Sequence, residues 1–181
     1  MSMPLTCGHC LDSPPPYEQC IAPFRYAYPI DSLVKAAKFG GQLMLASQLG
    51  ELLAAALEPR LEALPECLIP VPLHRQRLTE RGYNQSLELA RPIAKRFHLL
   101  LNLKDCVRIR NTTPQSQLSG RERQLNVRLA FAIQGELKYQ HVALVDDVVT
   151  TGHTAAELSS ELIKAGVERV DIWALARTSP W

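Results

Sequence analysis

A chain of 181 residues, 46% of them hydrophobic, has the size and composition of one compact globular domain with a sizeable core. Twenty Lys and Arg against eighteen Asp and Glu leave a formal charge of +2, too mild for total charge alone to mark a nucleic-acid binder. No run reaches the roughly eighteen apolar residues of a membrane span, and Met1 to Thr6 lacks the basic start and apolar run of a secretory signal. Five cysteines are too few, and odd in number, for a secreted disulfide framework. The chain therefore reads as cytoplasmic.

The first thirty residues hold three of the five cysteines and six of the thirteen prolines, including Pro14-Pro15-Pro16. Polyproline is stiff and extended, so residues 1–29 read as a tail or small module and residues 30–181 as the domain. From Asp31, a candidate N-cap, Leu33, Val34, Ala37 and Phe39 predict a helix that Gly40-Gly41 interrupts. A second helix carries Leu45, Leu49, Leu52, Leu53 and Leu57 and stops at Pro59. Neither holds a chemical motif, and packing accounts for both. Cys67 to Leu73 reads as a strand whose prolines point to a sheet edge or a strand end. A helix is expected over Asn84 to Phe97, kinked by Pro92, followed by a short strand at Val107 and Ile109. Residues 110–128 are polar and basic, with capping-box spacing at Ser119-Gly-Arg-Glu122, and Leu129, Phe131 and Ile133 alternate as a strand does.

The last third is clearest. Val142 to Val145 is a buried strand. Thr154-Ala-Ala-Glu157 has capping-box spacing and opens a helix through Leu158, Leu162 and Ile163 to Gly166. Val170 to Leu175 is a second buried strand, so the segment is a βαβ unit and the class is α/β with a parallel sheet flanked by helices. Ligands of such sheets bind where loops leave the carboxyl ends of strands. There stand Asp146 and Asp147, followed by Val148-Val149-Thr150-Thr151-Gly152-His153-Thr154 and a helix start. The helix start suits a phosphate, Gly152 permits close backbone approach, and the threonines add hydroxyl donors. Carboxylates accept hydrogen bonds from sugar hydroxyls and help hold Mg²⁺, usually through water. Two adjacent acids repel each other and add nothing to a core, so a phosphorylated ribose explains the segment better than a strand end and a cap do.

That segment resembles the phosphoribosyl-pyrophosphate (PRPP) motif of the type I phosphoribosyltransferases. The wider chain is similar to the ComF/GntX branch of that superfamily, from Cys7 to about Thr178. The likeness is carried by Cys7-Gly-His-Cys10-Leu, Phe24-Arg-Tyr, Lys38-Phe-Gly, Ile69-Pro-Val-Pro-Leu-His, Arg81-Gly-Tyr-Asn-Gln-Ser and Arg110-Asn-Thr-Thr-Pro-Gln-Ser-Gln-Leu. The resemblance implies that Asp146 and Asp147 contact the ribose 2- and 3-hydroxyls and that the Thr-Thr-Gly turn wraps the 5-phosphate. It implies PRPP or a phosphoribosyl nucleotide as ligand, with Mg²⁺, and transfer of phosphoribosyl to an acceptor that the sequence does not name.

The resemblance gives the basic segments a role. It places a pyrophosphate loop at His74, Arg75, Arg77 and Arg81, where rigid guanidinium forks suit phosphate oxygens. It places a closing lid over residues 110–128, with Arg110, Arg121, Arg123 and Arg128. For any one of these residues a solvated basic turn or loop remains an equal account.

Cys7 and Cys10 have the spacing of half a zinc site, and the family resemblance implies a zinc-ribbon-like module of which residues 1–29 are a partial remnant. Zinc is expected only if that ribbon is completed. Cys67 and Cys106 read as small core residues. ComF-type proteins are associated with DNA uptake or utilisation, which implies DNA-uptake proteins as partners. Arginine-rich loops could also meet single-stranded DNA, though few aromatics accompany them for stacking. Two readings follow: a phosphoribosyltransferase, or a PRPP- or nucleotide-binding regulator or DNA-handling factor without turnover.

Overall fold

The structure is a computed structural model, and it describes residues 14–39, 42–110 and 129–178. A six-stranded, all-parallel sheet has the order β1-β8-β7-β3-β4, with β2 also paired to β8. Its strands are β1 (Gln19–Ile21), β2 (Phe24–Arg25), β3 (Cys67–Pro70), β4 (Leu100–Leu101), β7 (His141–Val149) and β8 (Arg169–Arg177). A separate antiparallel pair joins β5 (Cys106–Arg108) to β6 (Phe131–Ile133). The helices are α1 (Ile30–Phe39), α2 (Leu43–Leu57), α3 (Arg75–Arg81), α4 (Gln85–Phe97) and α5 (His153–Lys164). The α/β class is thus as the sequence predicts. No helix among the described residues is long and apolar enough to cross a membrane.

Strand alternation builds two cores, one on each face. Val142 and Leu144 of β7 join Val170, Ile172 and Ala174 of β8 beneath Leu158 and Leu162 of α5. Ala143, Val145, Trp173 and Leu175 face the other way, against Leu53 and Leu57 of α2 and Leu89 and Ile93 of α4. Both faces being covered explains why these strands are near-continuous apolar runs. Helices α2 and α4 cross closely at Gly50, where an added Cβ would stand 2.5 Å from Pro92 Cγ and 2.6 Å from the Leu89 carbonyl oxygen.

Several expectations are corrected. Of the two placements suggested by its prolines, strand β3 is not an edge but does end at one of them: it lies buried between β7 and β4 and stops at Pro70. Its prolines are tolerated because the strand ends at Pro70, beyond the two residues that β4 pairs. Strand β7 runs on through the acidic pair to Val149, since its ladder with β8 continues that far. Asp31 lies inside α1 rather than capping it, and its carboxylate pairs with Lys35 one turn later at 2.8 Å. The strand at Val107 ends at Arg108, so Ile109 lies outside it. Within the segment read as a tail or small module, β1 and β2 lie along β8 in the sheet, and Gln19 donates to the buried Asp171 at 2.9 Å. The helix expected from Ser119 lies outside the described residues.

Candidate phosphoribosyl site at the β7–α5 turn

Strand β3 stops opposite Val145, and no strand among the described residues pairs with β7 beyond it on that side. The acidic side chains there bond to the backbone that follows them. The N–H of Asp147 donates to Asp146 Oδ1 at 2.9 Å, and that of Val148 donates to Asp147 Oδ1 at 2.7 Å. Backbone and carboxylates therefore fix one another where the sheet opens.

Each carboxylate also receives a group from outside the motif. Ser86, buried at the start of α4, donates its hydroxyl to Asp146 Oδ1 at 3.1 Å. Asn84 holds that helix start in place, accepting the Ser86 N–H at 3.0 Å and donating to the Val71 carbonyl at 3.1 Å. Lys38, in the last turn of α1, sets its ammonium 2.5 Å from Asp147 Oδ2. Burial and the neighbouring charge of Asp147 push the Asp146 carboxyl up to about 7. For Lys38, burial pulls the ammonium down, but the attraction of Asp147 outweighs it and the net direction is upward.

The turn after β7 leads directly into α5. Gly152 takes a left-handed backbone at φ 77° and is itself the N-cap of α5. Thr154 is therefore a first-turn residue and not the cap, because the glycine carries the chain into the helix two residues earlier. Glu157 does not reach back to a cap either; it accepts the Leu129 N–H at 2.7 Å. The first turn of an α-helix presents N–H groups that have no carbonyl partner within the helix, and α5 directs that end at the turn. Thr150 and Thr154 are half-buried beside it, Thr151 is exposed, and the Thr151 hydroxyl lies 3.1 Å from His153 Nδ1. Val148 is partly buried, and Val149 is a core residue whose carbonyl accepts the Thr178 N–H. Of the segment Asp146 to Thr154, then, Val149 is core by its side chain, Val148 packs against the core, and Thr151 is exposed.

The basic residues separate. His74 is the N-cap of α3, its Nδ1 accepting the Gln76 N–H at 3.3 Å. Arg75 is exposed on that helix, Arg77 is half-buried, and Arg81 donates to Gln85 Oε1 at 2.6 Å. Arg110 is exposed just past β5. Arg108 is the basic residue that sequence reasoning missed. Its guanidinium lies over the Phe131 ring at 5.4 Å. Burial pulls its protonation below the ordinary arginine value, Arg77 adds to that, and Asp146 opposes both. Arg77 and Asp146 are thus both near enough to act on the Arg108 charge, in opposite directions. Lys38 and Ser86 were visible in the sequence only as parts of family-like strings, and no local pattern links them to residues 60 or more positions away.

Cys7, Cys10 and Arg121 lie outside the described residues. Among the described residues no group of three or more His, Cys, Asp or Glu could hold a metal ion. Cys67 and Cys106 are buried free thiols, as the sequence predicts.

No protein-family model matches the chain. Similar curated proteins include DNA utilization protein YhgH of Escherichia coli (strain K12), 36% identical over 178 residues, spanning 96% of this chain and 78% of that one. Competence protein F of Haemophilus influenzae is 37% identical over 179 residues, spanning 94% and 78%. Among solved structures, the purine phosphoribosyltransferase from Pyrococcus horikoshii Ot3 aligns over 76% of each chain at 22% identity with a TM-score of 0.43. A TM-score that low is a loose likeness.

Proposed function

The chain belongs to the family of competence protein F and DNA utilization protein YhgH, and from that premise we propose that it binds PRPP at the β7–α5 turn and transfers its phosphoribosyl group. One observation carries the reading: two adjacent carboxylates, each held by the N–H of the next residue, precede a Thr-Thr-Gly turn whose left-handed Gly152 opens a helix N-terminus. The turn would hold the 5-phosphate through backbone N–H groups and the hydroxyls of Thr150, Thr151 and Thr154. Asp146 and Asp147 would accept the ribose 2- and 3-hydroxyls and so fix the sugar ring. Arg77 and Arg108 would meet the diphosphate. As the C1–O bond breaks, the electron pair leaves with pyrophosphate, and the acceptor's lone pair forms the new bond at C1. Fixing the sugar and the diphosphate separately supplies positioning and charge stabilisation, without a covalent intermediate.

The donor set suits Mg²⁺ brought in on the diphosphate rather than caged by protein, since two carboxylates can reach it through water. When bound, Mg²⁺ would neutralise charge developing on the leaving group. A cytoplasmic location accords with the buried free thiols Cys67 and Cys106.

A second reading, a PRPP- or nucleotide-binding regulator or single-stranded-DNA-handling factor without turnover, is favoured by the relatives' names and by the exposed side chains of Arg75 and Arg110. Calorimetric titration of PRPP with Mg²⁺ into wild type and an Asp146→Ala, Asp147→Ala double variant tests the first step. Saturable binding that the double variant loses is expected, and pyrophosphate release with an acceptor panel then separates turnover from binding alone. No binding to folded wild type removes the transferase reading and any PRPP-binding regulator, and leaves only the handling of single-stranded DNA.

A further inference from the structure

The phosphate turn and the acidic pair belong to one stretch of chain, but the cation at the acidic pair does not. Lys38 reaches Asp147 from α1, 109 positions earlier in sequence, and its side chain keeps 23% of its exposure against 14% for Asp147. Its surroundings make this contact more than a surface ion pair. Behind Asp147 lies an apolar recess lined by Val34, Ala37, Leu49 and Leu89, so water screens the pair poorly. Tyr83, just past α3, donates its hydroxyl to the Ala37 carbonyl and ties the last turn of α1 to the chain entering α4. That same entry carries Ser86, the partner of Asp146. Lys38 and Ser86 are therefore held in register by one short link, and each takes one acid.

The consequence is electrostatic and geometric. Two adjacent carboxylates repel, and a sugar diol needs both as acceptors at one spacing. Asp147 Oδ1 accepts the Val148 N–H while Oδ2 faces the ammonium, so the carboxylate plane is fixed from two sides. A carboxylate oxygen has lone pairs enough to accept a sugar hydroxyl beside the ammonium. Remove the ammonium, and Asp147 loses both the partner that fixes Oδ2 and the charge that offsets its own against Asp146.

Resting on the sugar-phosphate reading above, we infer that Lys38 is a positioning residue for ribose recognition: it neutralises and orients Asp147 so that the acidic pair selects a vicinal diol. It acts through Asp147 and has no part in holding the phosphate, which lies across the turn at α5.

The test compares inorganic phosphate, ribose 5-phosphate and 2-deoxyribose 5-phosphate by calorimetry on the full chain, with wild type, Lys38→Met and Lys38→Arg. Wild type should prefer the ribose over the deoxyribose ester by about ten-fold, the worth of one hydrogen bond to a charged group. In Lys38→Met that preference should shrink below about two-fold while phosphate affinity stays within about two-fold of wild type; Lys38→Arg should restore most of the preference. A ratio of affinities within one folded variant is not moved by stability alone. Should Lys38→Met fail to fold, Lys38→Gln, which keeps a donor without the charge, is judged by the same ratio. A neutral variant that keeps the full preference overturns the role of Lys38 and leaves the site intact. Wild type that binds neither sugar phosphate overturns both.

Discussion

The hydroxyl of Ser86 lies 3.1 Å from Oδ1 of Asp146, across 60 positions of sequence. This bond joins the start of α4 to the open end of β7 and stabilises the charged form of a carboxylate that burial disfavours. Ser86→Ala should lower ribose 5-phosphate affinity about five-fold, the loss of one ordinary hydrogen bond of about 1 kcal/mol. Calorimetry would show it. An unchanged affinity would mean that Asp146 needs no support from α4.

Asp146 also predicts a pH dependence. Its carboxyl is raised to about 7 in the folded protein from an ordinary 3.8. Between those values the folded chain holds a proton that the unfolded chain has released. The group therefore favours the fold at low pH, and that contribution is lost as pH rises through about 4 to 7. Relative to Asp146→Asn, wild type should lose melting temperature across this window, on the order of 5 °C, with no further divergence above about pH 7.5. Parallel melting curves for the two proteins would refute the raised value.

Gly50→Ala tests the crossing of α2 and α4. A methyl there meets the Pro92 ring and the Leu89 carbonyl at distances no packed interior allows. Because backbone must move, the cost should be about 1–3 kcal/mol, read in chemical denaturation. The strain would appear although alanine is the better helix former.

At the opposite end of the sheet, Asp171 is fully buried and accepts from Gln19, His141 and both nitrogens of the Arg169 fork that face it. Asp171→Ala leaves those donors without their acceptor. The expected cost is about 3 kcal/mol, with ligand affinity unchanged where the variant is folded.

Burial raises the Cys67 thiol to about 11 and Cys106 to about 12. Native protein treated with iodoacetamide at pH 8 should leave both unlabelled by peptide mapping, while the half-buried Cys20 reacts sooner. Labelling of all three at one rate would contradict the packing.

What the sequence disclosed is local. The run from Val142 to Thr154 announces strand, acids and turn because each follows from residue type within a dozen positions. The helix expected from Asn84 is there for the same reason, with Asn84 as its cap, accepting the Ser86 N–H. Thr154 misled, since capping spacing says nothing of the left-handed Gly152 that starts the helix earlier. Strands β1 and β2 were hidden for a different reason. At three and two residues they show no period, and only the waiting edge of β8 makes them strands. Lys38, Ser86 and Arg108 were illegible because a long-range partner leaves no trace in spacing.

Tyr83 grips α1 and Ser86 grips β7, so a sugar bound on the acidic pair would pull on α1 and α4 through a single hinge-like stitch. Occupancy of the site should therefore be readable at a distance, as slower amide exchange in the last turn of α1 and the first turn of α4, with the helix α5 behind the phosphate as an independent reporter.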